Sequence, residues 1–116
     1  MTQNRNKLID LFVGNLTNAI LHKILEKAIF ENPEISSKYQ KEVINSWEAA
    51  KIYREKINPK NSVFPQRDIE KIRKELIRRV CSEINSRISA GYKNLTLESV
   101  EEEVDKALIE MKIELL

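Results

Sequence analysis

The chain has 116 residues, of which 33% are charged and 6% aromatic, with two glycines, three prolines, one cysteine and one histidine. That length corresponds to one domain, long enough to bury a core without covalent staples, and its wealth of Ile, Leu, Ala, Glu, Lys and Arg favours helix. A single Cys81 excludes an internal disulfide and fits a reducing cytoplasm, and a single His22 excludes any site that needs two imidazoles.

The net charge of +2 is unevenly spread. Residues 59–91 hold eight Lys/Arg against four Asp/Glu, whereas residues 92–116 hold three against seven. One use of such a split is internal, a basic helix lying beside an acidic one. The other is a basic face turned to an anionic partner.

Residues 1–6 are polar and are expected to fray. A first helix follows over about 7–31. Its apolar residues begin on one side and from Ala19 onward point almost all the way round, and a helix that is apolar all round must be buried all round. It is either the central helix of a bundle or a helix covered by a second copy. A membrane span is not expected, because Asp10, His22, Lys23, Glu26 and Lys27 interrupt the run. Gly14 is a weak point that costs about 1 kcal/mol against Ala and marks a kink or a close helix crossing.

Asn32-Pro33 ends the first helix and starts the second, Asn32 as cap and Pro33 in the first turn. The second helix runs over about 34–57, with a weak spot at Ser36-Ser37. Ile35, Tyr39, Val43, Trp47, Ala50, Tyr53 and Ile57 share about 120° of arc and read as core. Asn58–Ser62 is a loop, after which Val63 and Phe64 form an apolar anchor.

Pro65 opens a third helix that Gly91 closes, over about 65–90. Ile69, Ile72, Leu76, Ile77, Val80, Ile84 and Ile88 make its buried face. Arg73 and Arg87 trespass on that face and call for carboxylate partners, with Glu83 and the acidic fourth helix available. Arg67, Lys71, Lys74 and Arg78 lie one turn apart within about 60° of arc, a ridge able to track phosphates. Glu70–Lys74 and Glu75–Arg79 are i,i+4 pairs that would partly neutralise it.

The fourth helix is expected over about 97–115, capped by Thr96, stapled by Leu95 and Val100, and with Glu101, Glu102 and Glu103 offsetting the helix dipole. Leu97, Val100, Val104, Leu108, Met111 and Leu115 would form its seam. Ile113 and Leu116 continue an apolar tail that docks in cis or on a partner.

No phosphate-cradling glycine loop, zinc pattern or Glu-x-x-His pair is present. Cys81 reads as an inert core thiol, and His22 as a hydrogen-bonded interior or interface residue. No catalytic, cofactor or metal site is expected, and the chain does not read as an enzyme. The stretch Ala90-Gly91-Tyr92-Lys93-Asn94-Leu95-Thr96-Leu97-Glu98-Ser99-Val100 resembles the closing segment of HEPN-type helical domains, which are often RNases or antitoxin partners. Ala90 stands where that family's signature histidine belongs, so the resemblance implies no nuclease activity.

These readings converge on an all-α, four-helix, bundle-like single domain spanning 1–116, or an intertwined helical dimer. The expected function is a non-enzymatic protein-interaction module that self-associates, as a dimer, or serves as a small subunit. Ile20, Leu21, Ile24, Leu25, Ile113 and Leu116 are the expected interface. The alternative is a nucleic-acid-binding accessory protein that contacts the backbone through Arg67, Lys71, Lys74 and Arg78.

Overall fold

Asn4 starts the first helix earlier than the polar N-terminus predicts. Its side chain accepts from the Asn6 amide at 2.8 Å and its carbonyl from the Leu8 amide at 3.0 Å, so the first turn is capped rather than frayed. In the computed structural model, which describes residues 4–28, 32–58 and 64–113, four helices follow in order: α1 (Arg5–Ala28), α2 (Pro33–Ile57), α3 (Gln66–Ser89) and α4 (Val100–Glu110). Among the described residues there is no strand. The fold is an all-α domain.

α1 is the hub. It packs against each of the other three helices, whereas α2 packs against α1 alone and α3 and α4 also pack against each other. Leu16, Ala19, Ile20, Leu21, Ile24 and Leu25, which span about 240° of the helix, are all buried. The all-round apolar pattern therefore reflects three neighbours within one chain. By length and composition α1 would also qualify as a membrane span, but 61% of its most apolar window is buried inside the fold. The helix continues through Gly14 without a break. Gly14 is exposed, and a Cβ there would make only ordinary contact, 3.8 Å from Arg79 Nη1. It marks no close helix crossing.

α2 begins where the sequence places it. Asn32 accepts from the Ile35 amide at 3.3 Å, Pro33 occupies the first turn, and Ser36-Ser37 does not interrupt the helix. It runs antiparallel to α1. Asn18 donates to Ser46 Oγ at 2.7 Å and to Glu42 at 3.3 Å, and Arg5 at the start of α1 reaches the Ile57 carbonyl at 3.4 Å. The aromatic stripe is less buried than expected. Ala50 is fully covered, but Tyr39, Val43, Trp47, Tyr53 and Ile57 are half-buried and Ile35 is exposed. With one helical neighbour, α2 is covered on one side.

α3 lies parallel to α1, tied by Arg5 to Asp68 and by Arg79 to Asp10 at 2.7 Å. Ile69, Ile72, Leu76, Val80 and Ile84 form its buried face, Ile77 is half-buried, and Ile88 in the last turn is exposed. Phe64 is buried as the expected anchor, while Val63 lies outside the described residues. The helix ends in a Schellman turn. Gly91 takes φ 100°, its amide bonds the Ile88 carbonyl at 3.0 Å, and the Tyr92 amide bonds the Arg87 carbonyl at 3.0 Å. Both trespassing arginines are paired within the chain. Arg73 forks onto Asp105 of α4 at 2.8 and 3.2 Å, and Arg87 meets Glu83 at 2.8 Å. The basic and acidic segments thus lie side by side.

α4 is shorter than its pattern at both ends. Thr96 does not cap it. The Thr96 hydroxyl accepts from the Glu98 amide at 3.4 Å in a separate turn, Leu97 is exposed, and the helix starts after Ser99. At the other end Lys112 adopts φ 59° and a second Schellman turn forms. The Ile113 amide bonds the Leu108 carbonyl at 2.9 Å and the Lys112 amide bonds the Ile109 carbonyl at 3.0 Å. This turn folds Ile113 back beside Leu108, and both are fully buried. Leu115 and Leu116 lie outside the described residues.

Candidate functional site

α2 carries more apolar residues than its contact with α1 can cover. Ile44 and Ile52 lie off the half-buried stripe and are each 56% exposed. Lys41, Glu48 and Glu55 share their face, all within about 80° of arc. Beside this face is a groove of about 280 Å³, formed because α2 and α4 both pack on α1 but not on each other. Ala19 and Ile20 make its floor, Val43, Ile44 and Trp47 one wall and Ala107 part of the other. Trp47 is the chain's single tryptophan.

Glu103 stands at the edge of that groove with 4% of its surface exposed. The run Glu101-Glu102-Glu103 reads as dipole compensation, and Glu103 departs from that role by pointing inward. Burial opposes its charge. Hydrogen bonds from Lys27 at 3.0 Å and an ion pair with Lys23 at 3.2 Å outweigh that and hold its carboxyl below the usual range. The cluster clips α4 to α1.

Arg54 is the second charged group that the fold takes inside, 5% exposed. Its guanidinium donates to the carbonyls of Met111 at 2.8 Å, Lys112 at 3.0 Å and Asn58 at 3.1 Å, and lies 4.9 Å from the centre of the Phe64 ring. Burial pushes its pKa down. It thereby joins the end of α2, the start of α3 and the turn after α4. The spacing Val43, Trp47, Ala50, Arg54 was the available signal, since it puts this arginine on the stripe that faces α1.

The residues expected at an oligomer interface are covered in cis. Ile20, Leu21, Ile24, Leu25 and Ile113 are 3%, 3%, 6%, 0% and 0% exposed in the single chain. Leu116 lies outside the described residues. The apolar surplus of α1 that argued for a second copy is taken up by α2, α3 and α4, and the large apolar residues left exposed are Ile35, Ile44 and Ile52 on α2, Ile88 at the end of α3, and Tyr92 and Leu97 beyond it.

The basic ridge is intact. Arg67, Lys71, Lys74 and Arg78 are all exposed. Of the two neutralising pairs, Glu75–Arg79 forms at 3.2 Å, but Glu70–Lys74 does not appear among the ion pairs of the described residues. Glu75 also holds Arg78, and hydrogen bonds from Arg78 and Arg79 lower the Glu75 carboxyl to about 2. Arg67, Lys71 and Lys74 make no ion pair with any described residue.

His22 and Cys81 are directed to different neighbours. His22 Nδ1 lies 2.8 Å from the Asn18 carbonyl and its ring is 5.5 Å from that of Tyr39 on α2. Cys81 is half-buried, and burial together with the Glu101 carboxylate raises its thiol pKa. Such a thiol is a poor nucleophile.

No family model, curated protein or solved structure matches the chain.

Proposed function

We propose that this chain is a non-enzymatic protein-interaction module that self-associates through the outer face of α2. The observation that carries the reading is the placement of Ile44 and Ile52, each 56% exposed, on either side of Glu48. A second copy of α2 laid antiparallel about a twofold axis at Glu48 sets Ile44 of one copy against Ile52 of the other. The same axis sets Lys41 against Glu55. A face that complements itself in this way is what an isologous dimer requires. Glu48 meets its own symmetry mate, and Lys51, 3.8 Å from it, offsets that repulsion.

The magnitude marks the association as weak. Burying the exposed half of one isoleucine contributes about 1–1.5 kcal/mol, and four of them about 4–6 kcal/mol, before the cost of association. With nothing subtracted for that cost, this corresponds to a dissociation constant of about 0.1–1 mM, the tightest that the four isoleucines alone supply. Sedimentation equilibrium from about 10 µM to 1 mM, with Trp47 emission followed in parallel, tests it. A monomer–dimer equilibrium abolished by Ile52→Glu and strengthened by Glu48→Gln is the expected result. A monomer at every concentration would refute it.

A second reading follows from the free, exposed Arg67, Lys71 and Lys74: sequence-independent contact with a nucleic-acid backbone. It requires binding to a short duplex that weakens steeply with salt and is lost on reversing two of these charges.

A further inference from the structure

The groove between α2 and α4 stays open because two of the residues around it are small. Ala19 of α1 and Ala107 of α4 line it together with Val43 and Trp47 of α2, and a space of about 280 Å³ remains. Ala19, Ile20 and Ala107 are buried and form a nearly closed base. The surface within reach of a ligand is the wall above them: Val43 and Trp47, both half-buried, and the exposed Ile44. α4 lines the groove from Glu103 to Glu110, two turns or about 10 Å. The volume is below the roughly 300–1,000 Å³ of pockets that enclose small molecules. It takes one or two side chains, which is how an amphipathic helix anchors itself in a groove.

The charges around the groove are unequal. Glu48, Glu103 and Glu110 line it, against Lys23 alone. Glu103 and Lys23 pair with each other at 3.2 Å. That leaves Glu48 on α2 and Glu110 on α4, one on each rim and both exposed. Glu110 makes no ion pair with a described residue, and Lys106, one turn before it, is engaged by Glu102 at 3.2 Å. Glu48 has Lys51 at 3.8 Å, an exposed contact that contributes little in water. Two carboxylates flanking an apolar wall favour a cationic partner and disfavour an anionic one.

We propose that this groove docks an amphipathic helix of a partner protein whose apolar anchors are flanked by lysine or arginine. The anchors pack on Trp47, Val43 and Ile44, and the flanking cations reach Glu48 and Glu110. A second copy of this chain does not supply that chemistry. The exposed apolar face of α2 carries Lys41 against Glu48 and Glu55 and so brings no surplus of cations. The ridge Arg67, Lys71, Lys74 and Arg78 brings cations without a large exposed apolar residue among them. The pairing of two α2 helices uses the neighbouring face, and docking in the groove does not depend on it.

Trp47 is the chain's single tryptophan, so its emission reports on the groove directly. The test is a titration of the full chain carrying Ile52→Glu, in which self-association is expected to be absent; Ile52 does not line the groove. The probe is a tryptophan-free amphipathic peptide of leucine and lysine, about 18 residues long so that it forms a helix. Its counterparts carry glutamate in place of lysine, or alanine in place of leucine. A saturable blue shift of Trp47 emission is expected with the leucine–lysine peptide, at least about tenfold weaker binding with the glutamate peptide, and no shift with the alanine peptide. Glu110→Lys should weaken the leucine–lysine peptide about tenfold without affecting the fold, because the side chain is exposed and a cation suits the last turn of a helix. Ala107→Leu should fill the groove and block binding, with the thermal midpoint recorded to show that the domain is intact. The proposal is overturned if the leucine–lysine peptide leaves Trp47 emission unchanged, if both charged peptides bind equally, or if Glu110→Lys binds as the parent does. It is also overturned if emission shifts on raising the concentration of the Ile52→Glu chain alone, which would make a second copy the occupant. Sedimentation of the parent chain decides the self-association reading separately, so either can fail without the other.

Discussion

Replacing Arg54 by Met keeps most of the side-chain volume and removes every donor. The carbonyls of Met111, Lys112 and Asn58 then lose a charge-assisted partner at 2.8, 3.0 and 3.1 Å. A hydrogen bond to a charged group contributes about 1.5–3 kcal/mol, and a buried acceptor left unpaired costs about 1–3 kcal/mol. Relief from burying the guanidinium offsets part of this, and Lys112 is exposed enough for water to reach its carbonyl. The net loss expected is about 3 kcal/mol, a fall in thermal midpoint of roughly 10 °C for a chain of this size. Arg54→Lys restores one donor without the fork, and about half the loss should return. Urea denaturation with an unchanged slope, combined with amide exchange, checks both size and place. The Ile113 amide, bonded to the Leu108 carbonyl at 2.9 Å, should exchange faster than amides in the middle of α1. If Arg54→Met stays within about 0.5 kcal/mol of the parent, Arg54 does not secure the end of α4.

The carboxyls of Glu75, at about 2, and Glu103 are both held below the ordinary carboxylate range. Their contribution to stability is therefore complete above the unfolded value and is lost as the pH falls through the folded one. The thermal midpoint should drop between about pH 4.5 and pH 2, and Glu103→Gln should flatten that drop, at a cost of about 1 kcal/mol at neutral pH. Gly91→Ala should destabilise by about 1–2 kcal/mol from backbone strain alone, since φ is 100° and a Cβ there would meet nothing within 4 Å. Gly14→Ala should do the opposite, raising stability by about 1 kcal/mol through helix propensity.

Local signals in the sequence proved reliable. Asn32-Pro33 and Gly91 sit where a cap, a first-turn proline and a left-handed stop are needed, and they mark α2 and α3 to within about a residue. The pairing of Arg73 with the acidic helix was legible from charge alone. What could not be read was the number of neighbours each helix has. α1 and α2 are nearly equal in length, yet α1 is surrounded and α2 is covered on one side. The seam of α4 continues past Lys112 in sequence, but the left-handed turn there ends the helix so that Ile113 can be buried. Helical periodicity does not mark the outer face of α2, because Ile44 and Ile52 are not part of its apolar stripe.

The central position of α1 has a consequence for how the chain is made. The helix that needs the most cover is synthesised before the three helices that supply it, and its cover arrives piecemeal. α2 follows at once and shields one side. The other sides wait for α3 and then for α4, whose closing residue Ile113 lies 85 residues beyond Ala28. At the usual pace of translation, 5–20 residues per second, that is a delay of roughly 4–17 s. During that interval an α1–α2 hairpin presents Leu21, Ile24 and Leu25 without their final neighbours. The time in which α1 is vulnerable to aggregation, or available to a chaperone, is therefore set by the ribosome's progress from Ala28 to Ile113.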